Sequence, residues 1–146
     1  MPSGSLGLQP GSVLHIEGFS SRGHPPKNKF LLVIGSRSDV EALGFLISSQ
    51  LFYLDRISHK KEVVRIPDRA TSFLRFESII QCFELERLSI LELAEGHAQG
   101  RVTKVGALSL KYLHKIRETV QGSRLLTELD IESALAVLPR STQKQP

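Results

Sequence analysis

Apolar and polar positions follow a strand-like pattern over most of this chain, then switch to a helical period near residue 109. The segment Gly11 to Gly18 sets Val13, Leu14 and Ile16 between turn residues and predicts a first strand. Phe19 to Asn28 reads as a loop, because Pro25 and Pro26 donate no ladder hydrogen bonds. Lys29 to Ile34, KFLLVI, is a continuous apolar run and predicts a strand buried on both faces. A polar turn over Gly35 to Glu41 leads to a third strand, Leu43 to Gln50, which ends in hydroxyls. Glu62 to Ile66 predicts a fourth strand stopped by Pro67, Ser78 to Leu85 a fifth, and Arg101 to Val105 a further short one.

The helical part begins at Ser109, a good N-cap residue. Leu110, Leu113, Ile116 and Val120 then recur at helical spacing up to Gly122. A second helix starts near Thr127, with Asp130 three residues on. Leu129, Ala134, Leu135 and Leu138 supply its apolar face, and Pro139 follows its end. Short strands followed by helices predict a mainly β fold with C-terminal helices (α+β), a small barrel or sandwich with a helical cap. No internal repeat is visible.

With 146 residues the chain suits one domain, and its 40% apolar and 23% charged residues are those of a globular protein. Aromatic residues are scarce at 6%, with no Trp and seven Phe, so the core must be mainly Leu, Ile and Val. Cys82, the single cysteine, excludes an intramolecular disulfide; it lies in an apolar run and reads as a buried thiol in a reducing compartment. No segment reaches the roughly 18 apolar residues of a membrane span, and the first ten residues do not read as a signal peptide. The expectation is a cytoplasmic protein without a membrane partner.

Charge changes the picture more. The net charge of +4 is unevenly distributed. Arg22, Lys27, Lys29 and Arg37 form one acid-free basic stretch, and Arg101, Lys104, Lys111, Lys115 and Arg117 form another. Acids gather at Glu77, Glu84, Glu86, Glu92 and Glu95. Such a division suits a face for an anionic polymer, or equally a set of solvated loop and helix surfaces.

Most chemistry is unsupported by spacing. His15, His24, His59, His97 and His114 include no metal-ligand spacing, so no metal site is expected. The scattered glycines form no phosphate loop, and no cofactor is expected. Ser48 and Ser49 lack the glycine frame of a nucleophile elbow. One constellation remains: a proline-stiffened basic loop leads into the second strand, and the third strand ends in Ser48 and Ser49. If the two strands pair, cations and hydroxyls meet at one end of the sheet, where they could hold a phosphodiester. A solvated loop beside edge hydroxyls is the plainer alternative.

The order of these segments resembles the PemK/MazF-like endoribonuclease toxins of bacterial toxin–antitoxin systems. The resemblance rests on GSVLHIEGF as the opening strand, SSRGHPPKN as its loop, and KFLLVI and LGFLISSQ as the next two strands. It continues in SIIQCFELERL, which keeps Glu84, Arg87 and Leu88, and in RVTKVGALSLKYLHKIRETV, a short basic strand feeding a helix. It covers Gly11 to about Gly122, with Ser12 where an Asp is usual, and Ser78, Ile79 and Gln81 replacing polar groups of the fifth strand.

The resemblance implies an SH3-like small barrel, usually a homodimer, that cleaves single-stranded RNA without metal and is held by an antitoxin protein. It puts the catalytic cation on Lys29, where Arg is usual, and the catalytic hydroxyl on Ser48. Arg22, His24, Lys27 and Ser49 then become RNA-binding, with His24 the best second acid or base. The implied organisation is a flexible lead-in at 1–10, the barrel with its helix at 11–122, an additional helix at 123–139 and a flexible tail at 140–146. That last helix completes the core, extends a dimer interface or covers a groove. A non-catalytic barrel that binds RNA or a protein partner is the alternative function, and a purely structural protein a third.

Overall fold

A computed structural model describes residues 6–20, 25–49 and 57–140. Its strands are β1 Ser12–Phe19, β2 Lys27–Ser36, β3 Glu41–Ser48, β4 Val63–Ile66, β5 Ser78–Gln81, β6 Glu86–Ser89 and β7 Val102–Ala107. Its helices are α1 Ile57–Lys60, α2 Ile90–Ala98, α3 Leu110–Gln121 and α4 Glu128–Val137. The strands make one antiparallel sheet in the order β4-β5-β3-β2-β1-β7, and β6 pairs with the first half of β3. Among the described residues no ladder joins β4 to β7, so the sheet is not a closed barrel there. Its two margins nonetheless approach: the loop after β4 lays Phe73 against Gly106 of β7, where an added Cβ would sit 2.5 Å from the ring. No helix is long and apolar enough to cross a membrane among the described residues.

β2 shows why a continuous apolar run is needed at the centre. Leu32 and Ile34 enter one core with Val13, Phe45 and Ile47, covered by Leu113, Ile116 and Val120 of α3 and Ala134 of α4. Leu31 and Val33, on the alternate face, enter a second core with Leu14, Ile16, Val102 and Leu93 of α2. Leu6 is also buried there, so part of the expected lead-in is packed. Gly44 permits the close approach of β3 to β2, since a Cβ on it would lie 2.5 Å from the Leu32 carbonyl oxygen.

Several expectations need correction. The fifth strand stops at Gln81; Cys82 to Leu85 turn, and the chain returns as β6 and then α2. An apolar run records burial, and Cys82, Phe83 and Leu85 are buried although they sit in a turn. The α2 helix had a legible start: Ser89 accepts a hydrogen bond from the Glu92 amide at 3.2 Å, with Glu92 at the capping-box position. Leu129 is 62% exposed and Leu110 54%, so neither belongs to the buried stripe of its helix. Both stand in the first turn of their helix. Ser109 occupies the N-cap of α3 without a side-chain capping bond, whereas Thr127 accepts from the Asp130 amide at 3.1 Å.

The α4 helix completes the core, one of the three roles open to it. Ala134 and Leu138 are buried in the larger cluster, with Ile131, Leu135 and Val137 packed against it. Polar contacts fasten it. Arg87 of β6 donates to Asp130 at 2.7 Å and to Ser133 at 3.1 Å, and pairs with Glu41 at 3.4 Å. Arg117 of α3 donates to the Leu135 and Leu138 carbonyls, closing the helix end. Buried Glu62, just before β4, accepts from the Ser123 hydroxyl at 2.5 Å and the Arg124 amide at 2.7 Å, holding the α3–α4 connection.

Candidate functional site

One transverse row of the sheet contains the cation and hydroxyl singled out in the sequence. Ile16 of β1 pairs with Val102 of β7 on one side and Lys29 of β2 on the other. Ser48 of β3 pairs with Ile79 of β5. Phe30 pairs with Ile47, so one further step along the β2–β3 ladder sets Lys29 opposite Ser48. The row therefore reads Val102, Ile16, Lys29, Ser48, Ile79 across five strands. Side-chain alternation directs it to the α2 side of the sheet, the side of Ile16 and Val102.

Lys29 and Ser48 are half-buried, and Ile16 and Ile79 on either side are buried. They form a polar notch in an apolar row. Cβ atoms of directly opposed residues lie about 4.5–5.5 Å apart. Side chains rooted that close together bring an ammonium and a hydroxyl within reach of one phosphate group, the cation neutralising it and the hydroxyl donating to an oxygen. Lys27 lies two residues before Lys29, exposed on the same face. The backbone is prepared locally: Gly18, at φ +67°, donates its amide to the Asn28 side chain at 3.1 Å, where the β1–β2 register shifts. Beside the row, a cleft of about 350 Å³ opens between Ile16, Phe19, Arg87, Ser89, Glu92 and Arg101.

The opposite face of the same strand ends carries a second concavity. Phe30, Ile47, Ser49, Phe73, Arg75 and Phe76 surround a hollow of about 250 Å³. The His15 and Phe30 rings lie 5.1 Å apart and tilted by 60°, extending the aromatic wall. The loop that supplies Phe73, Arg75 and Phe76 is well anchored. The Ala70 amide donates to the Pro67 carbonyl, with Arg69 left-handed at φ 66°, and the Leu74 amide donates to the Thr71 hydroxyl. Leu74 is buried in the larger core, Arg65 pairs with Glu77, and the Ser78 hydroxyl donates to the Phe76 carbonyl at 3.0 Å.

Of the residues expected to form a site, Lys27, Lys29 and Ser48 come together on one face. Ser49 lies just past β3 and turns to the hollow behind them. Arg22 and His24 fall outside the described residues. Sequence reasoning missed Phe73, Arg75 and Phe76. Their signal was the FLRF segment, aromatic residues interleaved with a cation. Cys82 takes no part: it is fully buried, and burial, reinforced by the Glu62 charge, pushes its thiol pKa far up.

No protein-family model matches this chain, and no curated protein sequence matches it.

Proposed function

We propose that this chain acts on single-stranded RNA as a divergent PemK/MazF-like, metal-independent endoribonuclease, with Lys29 and Ser48 as its phosphodiester-contacting pair. The observation that carries the reading is the transverse row, in which the two residues oppose each other between buried Ile16 and Ile79. On this reading the sheet is an SH3-like barrel whose margins approach where Phe73 lies on Gly106. A homodimer and an antitoxin partner belong to the same proposal.

The chemistry is transesterification. The 2′-oxygen loses its proton and attacks the adjacent phosphorus, the bond to the 5′-oxygen of the next nucleotide breaks, and that oxygen takes up a proton. The products are a 2′,3′-cyclic phosphate and a 5′-hydroxyl. The Lys29 ammonium offsets the charge that builds on the non-bridging oxygens, and the Ser48 hydroxyl orients one of them. His24 is the imidazole that the sequence offers for proton transfer.

The test is incubation of purified protein with long single-stranded RNA in EDTA, followed by mapping of the cut ends. Discrete cuts bearing cyclic-phosphate and 5′-hydroxyl termini support the reading. RNA that is bound and left intact replaces it with a non-catalytic RNA-binding barrel, and RNA that is neither bound nor cut removes both.

A further inference from the structure

We infer that the hollow walled by Phe30, Phe73 and Phe76, with Arg75 at its rim, is a seat for one unpaired nucleobase of the bound strand, an assignment that rests on the RNA reading above. A single exposed apolar side chain means little, and the 67% exposure of Phe76 alone would not distinguish it from ordinary surface. What distinguishes it is the loop around it. Four separate fastenings hold that loop: the Pro67–Ala70 turn, the Thr71–Leu74 bond, the burial of Leu74 and the Arg65–Glu77 pair. An aromatic side chain held out on a fixed loop loses little further freedom when a ligand stacks on it.

Size and charge choose the occupant. About 250 Å³ is less than the roughly 300–1,000 Å³ of clefts that enclose a whole drug-sized ligand, so the hollow suits one flat ring. Phe rings and a guanidinium plane accept any base by stacking, without reading its edge. Among the described residues, no ion pair involves Arg75, Lys27 or Lys29, while the neighbouring acid Glu77 is matched to Arg65. This end of the sheet therefore favours an anionic strand over an apolar peptide. Lys29 and Phe30 are consecutive residues on opposite faces of β2, as are Ile47 and Ser48 on β3. The strand is thus held at the end of the sheet, with a phosphate on the α2 side and a base on the other.

The probes are a fluorescein-labelled single-stranded 12-mer RNA and the same 12-mer with a central run of abasic riboses, followed by anisotropy at low salt. The intact wild-type chain should bind the abasic strand about five- to a hundred-fold more weakly than the intact one, the range for loss of one stacked base. Phe76→Ala should weaken binding of the intact strand to a similar degree and leave the abasic strand unchanged. Gly106→Ala, which displaces Phe73 without touching Phe76, should act in the same direction, with thermal melting confirming that each variant is folded. Phe76→Ala and Gly106→Ala that bind intact RNA like the wild type, or a wild type indifferent to base removal, would overturn the base seat and leave the RNA reading standing. An apolar peptide as the true occupant would give the first of those results. A wild type that binds neither strand would overturn both.

Discussion

The two ends of the β2–β3 hairpin differ in how their charges are partnered. At the end near Gly35 and Glu41, Arg87 is matched to Asp130, Ser133 and Glu41, and Arg117 to two helix-terminal carbonyls. Glu62 likewise satisfies the α3–α4 connection. Each of these charges is matched within the molecule, fastening α4 to β6, its end to α3, and the α3–α4 connection to the residue before β4. At the other end, about 20 Å away along β2, Lys27, Lys29 and Arg75 have no ion-pair partner among the described residues and stand beside half-buried or exposed aromatic rings. Charge matched internally marks architecture; outward charge beside a shaped concavity is what the proposed RNA reading rests on.

The largest effect is expected at the open end. If Lys29 offsets transition-state charge, Lys29→Ala should lower the RNA cleavage rate about a hundred- to a thousand-fold while changing affinity only modestly. Lys29→Arg, which restores the residue usual in the resembled family, should retain cleavage. Unchanged cleavage in Lys29→Ala, measured in single-turnover assays, would move the chemistry elsewhere.

At the closed end the reverse pattern is expected. Arg87→Ala takes the guanidinium from Asp130 on α4 and should cost about 1–3 kcal/mol of stability, read as a lower urea midpoint with little change in slope. The guanidinium's pKa is raised, first by its hydrogen bond to Asp130. A raised folded-state pKa stabilises at all pH values below the unfolded one, so protonation of Arg87 itself adds no pH dependence in the ordinary range.

Cys82 supplies an alkaline test of the core between the two ends. Its thiol pKa is raised by burial, so the unfolded chain loses that proton first as pH rises. Stability should therefore fall above roughly pH 8.5, by about 1 kcal/mol near pH 9.5, and Cys82→Ala should remove this component of the slope. Native protein should also resist a thiol reagent at pH 8 that labels it at once in urea.

The smallest contrast concerns two caps. Thr127→Ala should cost about 1 kcal/mol, because its hydroxyl accepts from the Asp130 amide, while Ser109→Ala should cost far less, since no such bond exists there. Equal losses in thermal denaturation would contradict that assignment.

The strongest sequence signals came from local physics. KFLLVI was legible as a strand buried on both faces because only a central strand tolerates apolar side chains on each side. Pairing that strand with LGFLISS was enough to bring Lys29 opposite Ser48, since the hairpin between them is short. What escaped was governed by contacts distant in sequence. SIIQCFEL carries burial without revealing the turn at Cys82, and the fastening of Phe73 on Gly106 joins residues whose proximity no spacing rule encodes. Leu129 fits a helical stripe and yet is exposed, in the first turn of α4, where spacing alone does not show which face meets the sheet. The α2 helix is a different case: its Ser89 and Glu92 capping pattern stood in plain view within an acidic stretch.

The central claim is that ligands meet this protein at the open end of the hairpin, and backbone amide chemical-shift mapping with single-stranded RNA tests it most directly. Perturbations concentrated at Lys27, Lys29, Phe30, Ser48, Ser49, Arg75 and Phe76 are the predicted result. Perturbations centred on Asp130, Ser133 and the rest of α4, or none at low salt, would contradict it.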